Sequence, residues 1–391
     1  MNYPTYKLGE ICETTSGGTP NRKNDAYYGG SIPWVKSGEL GKGVIFDTEE
    51  KITEEAVKES SAKIFPEGTL LIALYGATIG KLGFLGVPAA TNQAVCGIFA
   101  NEKIDLQFLS YYLFHKRNDL IAQGTGGAQP NISQTILKNL PIPLPPLPTQ
   151  HAIVTRIETL FAELDKAVQH LRTAQQQLKT YRQAVLKAAF EECDSYEKIT
   201  NCFDVTGGLT KNSQREKFSI KMPYLRVANV YYNRLDLSEI KEIGVQESEI
   251  KEKLLKKDDL LFVEGNGSKE QIGRVAIWNG SIENCLHQNH IIKGRPLGTT
   301  LSKFALYYFI SDFGREQIIK VASSTSGLYT LSTEKVRNLN VPACSISEQQ
   351  RIVAEIESRL SQAEAVEASI ERALQQAEAL RQSILKMAFS G

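Results

Sequence analysis

Two glycine-bounded segments and one histidine pair are the places where this chain could do chemistry. GATIGKL at 76–82 has the outline of a phosphate-binding loop, in which backbone amides cradle phosphate and a hydroxyl after the lysine holds magnesium. It has three residues between its glycines where that loop has four, and Leu82 stands where Ser or Thr is needed. GNGSKEQIG at 265–273 carries the first two glycines of a dinucleotide fingerprint without the third at its spacing, so a turn between strands is the better reading. His287 and His290 are the only His pair within four residues, and no Cys or carboxylate completes a familiar metal pattern beside them. No G-x-S-x-G, no H-E-x-x-H and no Asn/Asp-Pro-Pro-aromatic run occurs, and the chain reads as non-catalytic. Six cysteines (12, 96, 193, 202, 285, 344) show no C-x-x-C and read mostly as buried thiols.

Another chemistry is better represented. Asn, Gln, Arg, Lys, Ser and Thr on loops carry the donors and acceptors that fit adenine and guanine edges, provided a rigid scaffold holds the loops. Such residues cluster at Thr19, Asn21, Arg22 and Lys23; Lys36 and Ser37; Tyr75, Thr78 and Lys81; Asn92 and Gln93; Gln129 and Asn131. Later in the chain they recur at Lys211 and Asn212; Arg226 and Asn229; Asn266, Ser268 and Lys269; and His287, Gln288, Asn289 and His290. For any single one of these, an ordinary polar loop residue is the plainer alternative. Trp34 and Tyr224, at equivalent strand positions, read as core rather than as stacking platforms.

The scaffold that must hold these loops is written twice. IPWVKSGEL at 32–40 aligns with MPYLRVANV at 222–230, and GTLLIALYG at 68–76 with DDLLFVEGN at 258–266, both at an offset of 190. FLSYYLF at 108–114 meets FALYYFI at 304–310, offset 196. LKNLPIPLP at 137–145 meets VRNLNVPAC at 336–344, and Gln150 meets Gln349, offset 199. A slow drift of this kind is expected of two copies of one unit with unequal loops.

Each copy starts with about 140 residues of short β-branched or aromatic runs and Gly-rich turns, an α+β pattern. Each ends in a stretch free of Pro and Gly, Thr149 to Phe190 after PIPLPPLP at 141–148, and Ser345 to Phe389. In the first, Ile153, Ile157, Leu160, Leu164, Val168 or Ala167, Leu171, Ala174, Leu178, Tyr181 and Val185 step by threes and fours; the second carries Ile352, Ile356, Leu360, Ala363, Ile370, Ala373, Ala377, Leu380 and Ile384, with one step of seven after Ala363. Such seams predict helices on the order of 60 Å long that bury each other. Chain order makes the pair antiparallel. The expected fold is therefore α+β: two repeated globular domains, 1–146 and 193–344, separated by two long helices, 147–192 and 345–391, that form an antiparallel coiled coil with a pseudo-two-fold axis.

Charge is balanced, 45 basic against 44 acidic residues, and only 199–340 is clearly basic, with 20 against 16. Any nucleic-acid surface must then be a local patch made by folding. No run approaches the roughly 18 apolar residues of a membrane span, and the first residues lack a signal-peptide pattern, so the expected location is cytoplasmic, with no membrane partner.

These features together resemble the specificity subunit of type I restriction-modification enzymes. The resemblance rests on the domain-helix-domain-helix order, SGGTP at 16–20, YYGGSIPWVKSGEL at 27–40, GGAQPNIS at 126–133, and LPIPLPPLPTQHAIVTRIE at 140–158 with its counterpart at 339–357. It covers essentially the whole chain. The second copy departs from it, with VTGGLTKN at 205–212 and SSTSGLYTLS at 323–332. The resemblance implies two target-recognition domains that read a bipartite, asymmetric double-stranded DNA site, with no cofactor in this chain. Two methyltransferase subunits would bring S-adenosylmethionine, and restriction subunits that translocate DNA would bring ATP and magnesium. Docking of the methyltransferases is expected near Gln150, His151, Val154 and Ile157 and near Gln349, Gln350, Val353 and Ile356, where packing between the helices is the competing role. A coiled-coil adaptor whose globular ends bind proteins, without reading DNA, is the alternative; polar rather than aromatic loops disfavour it.

Overall fold

The structure, a computed structural model, describes residues 3–124, 131–266, 268, 271–325 and 328–390. The chain forms two compact units, Met1–Leu171 with Arg372–Gly391, and Arg172–Glu371. Each unit thus takes a globular α+β part and a segment of both long helices, Leu147–Phe190 and Ile346–Ser390.

In the first unit a five-stranded sheet runs in the order Cys12–Ser16, Val95–Ala100, Leu70–Ala73, Leu82–Leu85, Val44–Ile45. All four residues of Leu70–Ala73 are buried. Because side chains alternate across a strand, Leu70 and Ile72 pack with Phe108, Leu109 and Leu113 of helix Leu106–His115, while Leu71 and Ala73 pack with Val35, Leu40 and Phe65 on the other face. The second unit repeats this plan. Phe203–Gly207, Ile291–Pro296, Leu260–Val263 and Val275–Ile277 lie in that order; Leu260 and Phe262 meet Phe304 of helix Ser302–Ile310, and Leu261 and Val263 meet Leu225 and Trp278.

A second small sheet in each unit carries several of the polar loops picked out from the sequence. Tyr28–Val35 pairs in parallel with Ala89–Thr91, matching Trp34 to Ala90, and Ile220–Leu225 pairs in parallel with Leu286–His287, matching Tyr224 to Leu286. Trp34 and Tyr224 are both core residues, as their strand positions suggested. The proline-rich punctuator becomes an edge strand, Pro141–Pro143, on Thr5–Lys7, a place where missing amides cost nothing. Asn340–Pro342 does the same on Tyr196–Lys198.

Within each unit the two helix segments run antiparallel. In the first, Ile157, Phe161 and Leu164 pack with Ile384 and Leu385, and Asp165 pairs with Arg381, whose guanidinium lies 4.7 Å from the Phe161 ring. In the second, Arg182 pairs with Glu367 at 2.7 Å. Part of the expected seam is not buried: Tyr181 and Leu380 are exposed, and Phe161, outside the periodic series, takes a core place against Tyr111.

Candidate nucleic-acid interface

The loops singled out from the sequence are tied to one another by main-chain hydrogen bonds, and the ties are the same in both units. Gly18 N donates to Thr91 O, Asn92 N to Val35 O and Val95 N to Asn92 O; Leu209 N donates to His287 O, Gln288 N to Leu225 O and Ile291 N to Gln288 O. The approach is close enough to require glycine. A Cβ on Gly17 would lie 2.1 Å from Thr91 O, and one on Gly208 2.3 Å from His287 O. The SGG and TGG tripeptides thus let one loop cross the end of a neighbouring strand.

On this frame the first unit brings together Thr19, which hydrogen-bonds Gln93, and Tyr75, whose backbone bridges to Asn131. Partial burial raises the Tyr75 hydroxyl pKa, against the opposing hydrogen bond from Gln93. Asn92 caps its own turn by accepting from Ala94 N at 3.2 Å. Asn21, Lys23 and Lys81 are exposed, while Thr78 and Ser37 are half-buried. Arg22 is held on three sides: its guanidinium lies 4.7 Å from both the Tyr28 and Trp34 rings, and Glu50 takes its charge. Lys36 pairs with Glu49 at 2.9 Å and Glu50 at 3.0 Å. The hydrogen bonds that Lys36 and Arg22 donate to these carboxylates raise the pKa values of both cations and hold Glu50 below the usual carboxylate range.

In the second unit Lys211 and Asn212 are exposed, Asn212 accepting from Arg215 N at 3.2 Å. Arg226 pairs with Glu239 at 3.1 Å. Gln288 and Asn289 are half-buried on the crossing loop, and His290 meets Glu264 at 2.7 Å. Asn266 sits in a short strand opposite Tyr329, and Ser268 is half-buried. Gln129 and Lys269 lie outside the described residues.

Several expectations need correction. His287 is fully enclosed; its Nδ1 donates to Ile291 O at 2.8 Å, and desolvation, opposed by that bond and helped by Lys293, drives its pKa down to about 3. It supports the loop from below and presents nothing to a base. Asn229 is also buried, accepting from Arg226 N at 2.8 Å and donating to Asp236 O and Glu239 O. Gln150 and Gln349, expected at a partner surface, are wholly buried. Gln150 Oε1 accepts from Asp105 N at 2.8 Å while its Nε2 donates to Lys103 O at 2.9 Å and Pro145 O at 2.8 Å. Gln349 makes the matching three bonds to Leu301 N, Thr299 O and Cys344 O. Ile157, Val353 and Ile356 are buried in intramolecular cores. His151 and Gln350 stay exposed, and Val154 is half-buried.

GATIGKL is a tight turn between Leu70–Ala73 and Leu82–Leu85. Gly76 and Gly80 have φ of +84° and +70°, and the amides of Ile79, Gly80 and Lys81 bond Gly76 O, Ala73 O and Thr78 O, so they are not turned to a phosphate. Among the described residues no three His, Cys, Asp or Glu side chains are grouped to hold a metal, and no helix is long and apolar enough to cross a membrane. Burial pushes the Cys12 and Cys285 thiols up to about 12. Sequence reasoning passed over the acids of the cation pairs, Glu49, Glu50 and Glu239, although the offset of 190 that joins Lys36 to Arg226 also joins Glu49 to Glu239.

The family model for the type I restriction modification DNA specificity domain matches residues 2–171 and 196–376. The type I restriction enzyme EcoKI specificity subunit of Escherichia coli K12 is 27% identical over 382 residues, covering 92% of this chain and 82% of that protein. The StySPI specificity subunit of Salmonella potsdam is 27% identical with the same coverage. The crystal structure of the HsdS subunit from Thermoanaerobacter tengcongensis superposes with a TM-score of 0.62 at 18% identity, over 100% of this chain and 97% of that one. A chain from a study of complex assembly and conformational transition in the type I R-M system gives 0.71, also at 18% identity, over 99% and 97%.

Proposed function

The chain belongs to the type I restriction-modification DNA specificity family, and on that premise we propose that its two units each read one half of a split, asymmetric DNA target. The supporting observation is a loop frame made by the same main-chain bonds in both units but furnished with different side chains: Thr19, Asn92 and Gln93 in one, Lys211, Gln288 and Asn289 in the other. Equal frames with unequal donors and acceptors suit two readers of unequal sequences. The exposed Lys23, Lys81 and Lys211 supply positive charge to such a surface, while Arg22, Lys36 and Arg226 hold theirs against Glu49, Glu50 and Glu239.

The chain itself performs no catalysis in this reading. It works in the cytoplasm, where two methyltransferase subunits and the restriction subunits assemble on it and bring S-adenosylmethionine, ATP and magnesium. With Gln150, Gln349, Ile157, Val353 and Ile356 committed to the interior, His151, Val154 and Gln350 are what remains of the docking surface read from the sequence. The test is exchange of one reader. Replacing residues 1–140 with the same region of a relative, then sequencing DNA bound from a random pool, should change one half of the selected site and leave the other intact. Changes in both halves would overturn independent reading.

A further inference from the structure

Three cations of the proposed reading surface, Arg22, Lys36 and Arg226, are paired with carboxylates, and the device that covers Lys36 and Arg226 is repeated. In the first unit Lys36 N donates to Glu39 Oε2 at 2.7 Å, Glu49 N donates to the other oxygen of Glu39 at 3.0 Å, and Lys36 Nζ pairs with Glu49 and Glu50. In the second, Arg226 N donates to Asn229 Oδ1 at 2.8 Å, Asn229 Nδ2 donates to Glu239 O at 3.1 Å, and the Arg226 guanidinium pairs with Glu239. Lys36, Glu39 and Glu49 stand 190 residues before Arg226, Asn229 and Glu239. A cation, a residue that staples the turn, and an acid thirteen positions beyond the cation therefore occur twice in one chain whose loops otherwise diverge.

Stability gives little reason for keeping the acids. Glu49 and Glu239 side chains are 75% and 69% exposed, and exposed ion pairs contribute little to folding. At a DNA surface the same acids have a larger consequence. A free Lys or Arg binds any phosphate and so strengthens all sequences alike, whereas a cation held by a carboxylate must give up that partner first. Glu50 covers two at once, Arg22 and Lys36.

We propose that Glu49, Glu50 and Glu239 are specificity-setting residues that withhold Lys36, Arg22 and Arg226 from sequence-independent phosphate binding. They are positioning residues, acting through the cations and not on DNA directly. The inference rests on the DNA-reading function proposed above and deepens it.

The test uses the purified full chain with its methyltransferase subunits, and compares wild type, Glu50→Gln, Glu239→Gln and Glu67→Gln. Glu67 is exposed in a turn, belongs to none of these pairs, and controls for the change in net charge. The probe is random-sequence duplex DNA, titrated between about 50 and 200 mM salt. Each cation that gains a phosphate steepens the plot of log affinity against log salt by about 0.9. Glu239→Gln should steepen it by about one, Glu50→Gln, which frees Arg22 and leaves Lys36 paired with Glu49, also by about one, and random-duplex affinity at low salt should rise severalfold, while Glu67→Gln matches wild type. Sequences selected from a random pool should also become less sharply defined. Thermal unfolding should not move, which separates the effect from a structural one. Unchanged slopes, or weaker binding in both variants, would overturn the inference while leaving a wild-type chain that binds a defined sequence as the DNA reader proposed. A wild type that selects no sequence from the pool would overturn both. Should Glu50→Gln fold poorly, Glu239→Gln alone decides.

Discussion

Replacing Gln150 with Ala removes three hydrogen bonds from a site closed to water and leaves Asp105 N, Lys103 O and Pro145 O without that partner. A buried donor or acceptor left unmade costs about 1–3 kcal/mol. Water entering the space vacated by the amide would recover part of this, so a net loss of about 3–5 kcal/mol is expected, a large share of the roughly 5–15 kcal/mol that holds a domain. Gln349→Ala should cost about the same, since its bonds to Leu301 N, Thr299 O and Cys344 O repeat the arrangement. Urea unfolding gives the energy, and hydrogen exchange gives the place. Gln150→Ala should expose the amides around Asp105 and spare those around Leu301, with the reverse in Gln349→Ala. Gln150→Glu adds a pH signature. A carboxylate there faces two carbonyl oxygens and has no proton to give, so its folded pKa must rise above the unfolded value of about 4.3. The variant should approach wild-type stability below about pH 4 and fall away from it as pH rises toward 7. A loss under about 1 kcal/mol in both Ala variants, with protection unchanged, would refute the clamp.

Gly17→Ala and Gly208→Ala must displace the backbone at Thr91 and His287, and should each lose about 1–3 kcal/mol or more, whereas Gly38→Ala, which meets nothing within 4 Å, should melt as wild type does. His287 stays neutral in the fold down to about pH 3 but is protonated below about 6.5 when unfolded. Its contribution is therefore whole above pH 6.5 and lost as pH falls toward 3, about 2 kcal/mol between pH 7 and 5; His287→Asn, able to donate to Ile291 O, should flatten that acid limb in melts taken across the range. Inserting four residues in the first long helix between Ala174 and Leu178, with four more after Arg372 to keep the helices paired, adds about 6 Å to each. The preferred spacer between half-sites should grow by one or two base pairs, read by selection from a random pool, and an unchanged spacer would mean that the helices are not the ruler.

Much of the fold was legible because it rests on short-range periodicity and on self-similarity. The offset that joins IPWVKSGEL to MPYLRVANV also joins the parallel pairings of Trp34 and Tyr224, since residues that fill the same layer face the same packing demand. The long helices followed from the absence of Pro and Gly and from the heptad steps. The seam was less well resolved, because alanine-rich steps satisfy several registers at once, and Phe161 won its place through contact with Tyr111, 50 residues earlier in the chain.

The site divided in the same way. Residue type and loop position sufficed to gather the polar side chains around SGG and TGG, since glycines at a chain crossing leave a mark in the sequence. What composition could not reveal was which polar groups face outward. His287 and Asn229 sit near polar neighbours, Gln288 and Arg226, that are only half-buried, yet one is sealed beneath the loop and the other staples it. Gln150 and Gln349 opened the amphipathic helices and looked like surface, and only the fold brings Asp105 and Leu301 to them across 45 and 48 residues. The pairing of Lys36 with Glu49 and of Arg226 with Glu239 was present in the repeat all along. A hydrogen bond between distant segments depends on where tertiary packing leaves donors and acceptors without water, and local sequence specifies the groups but not the place where they meet.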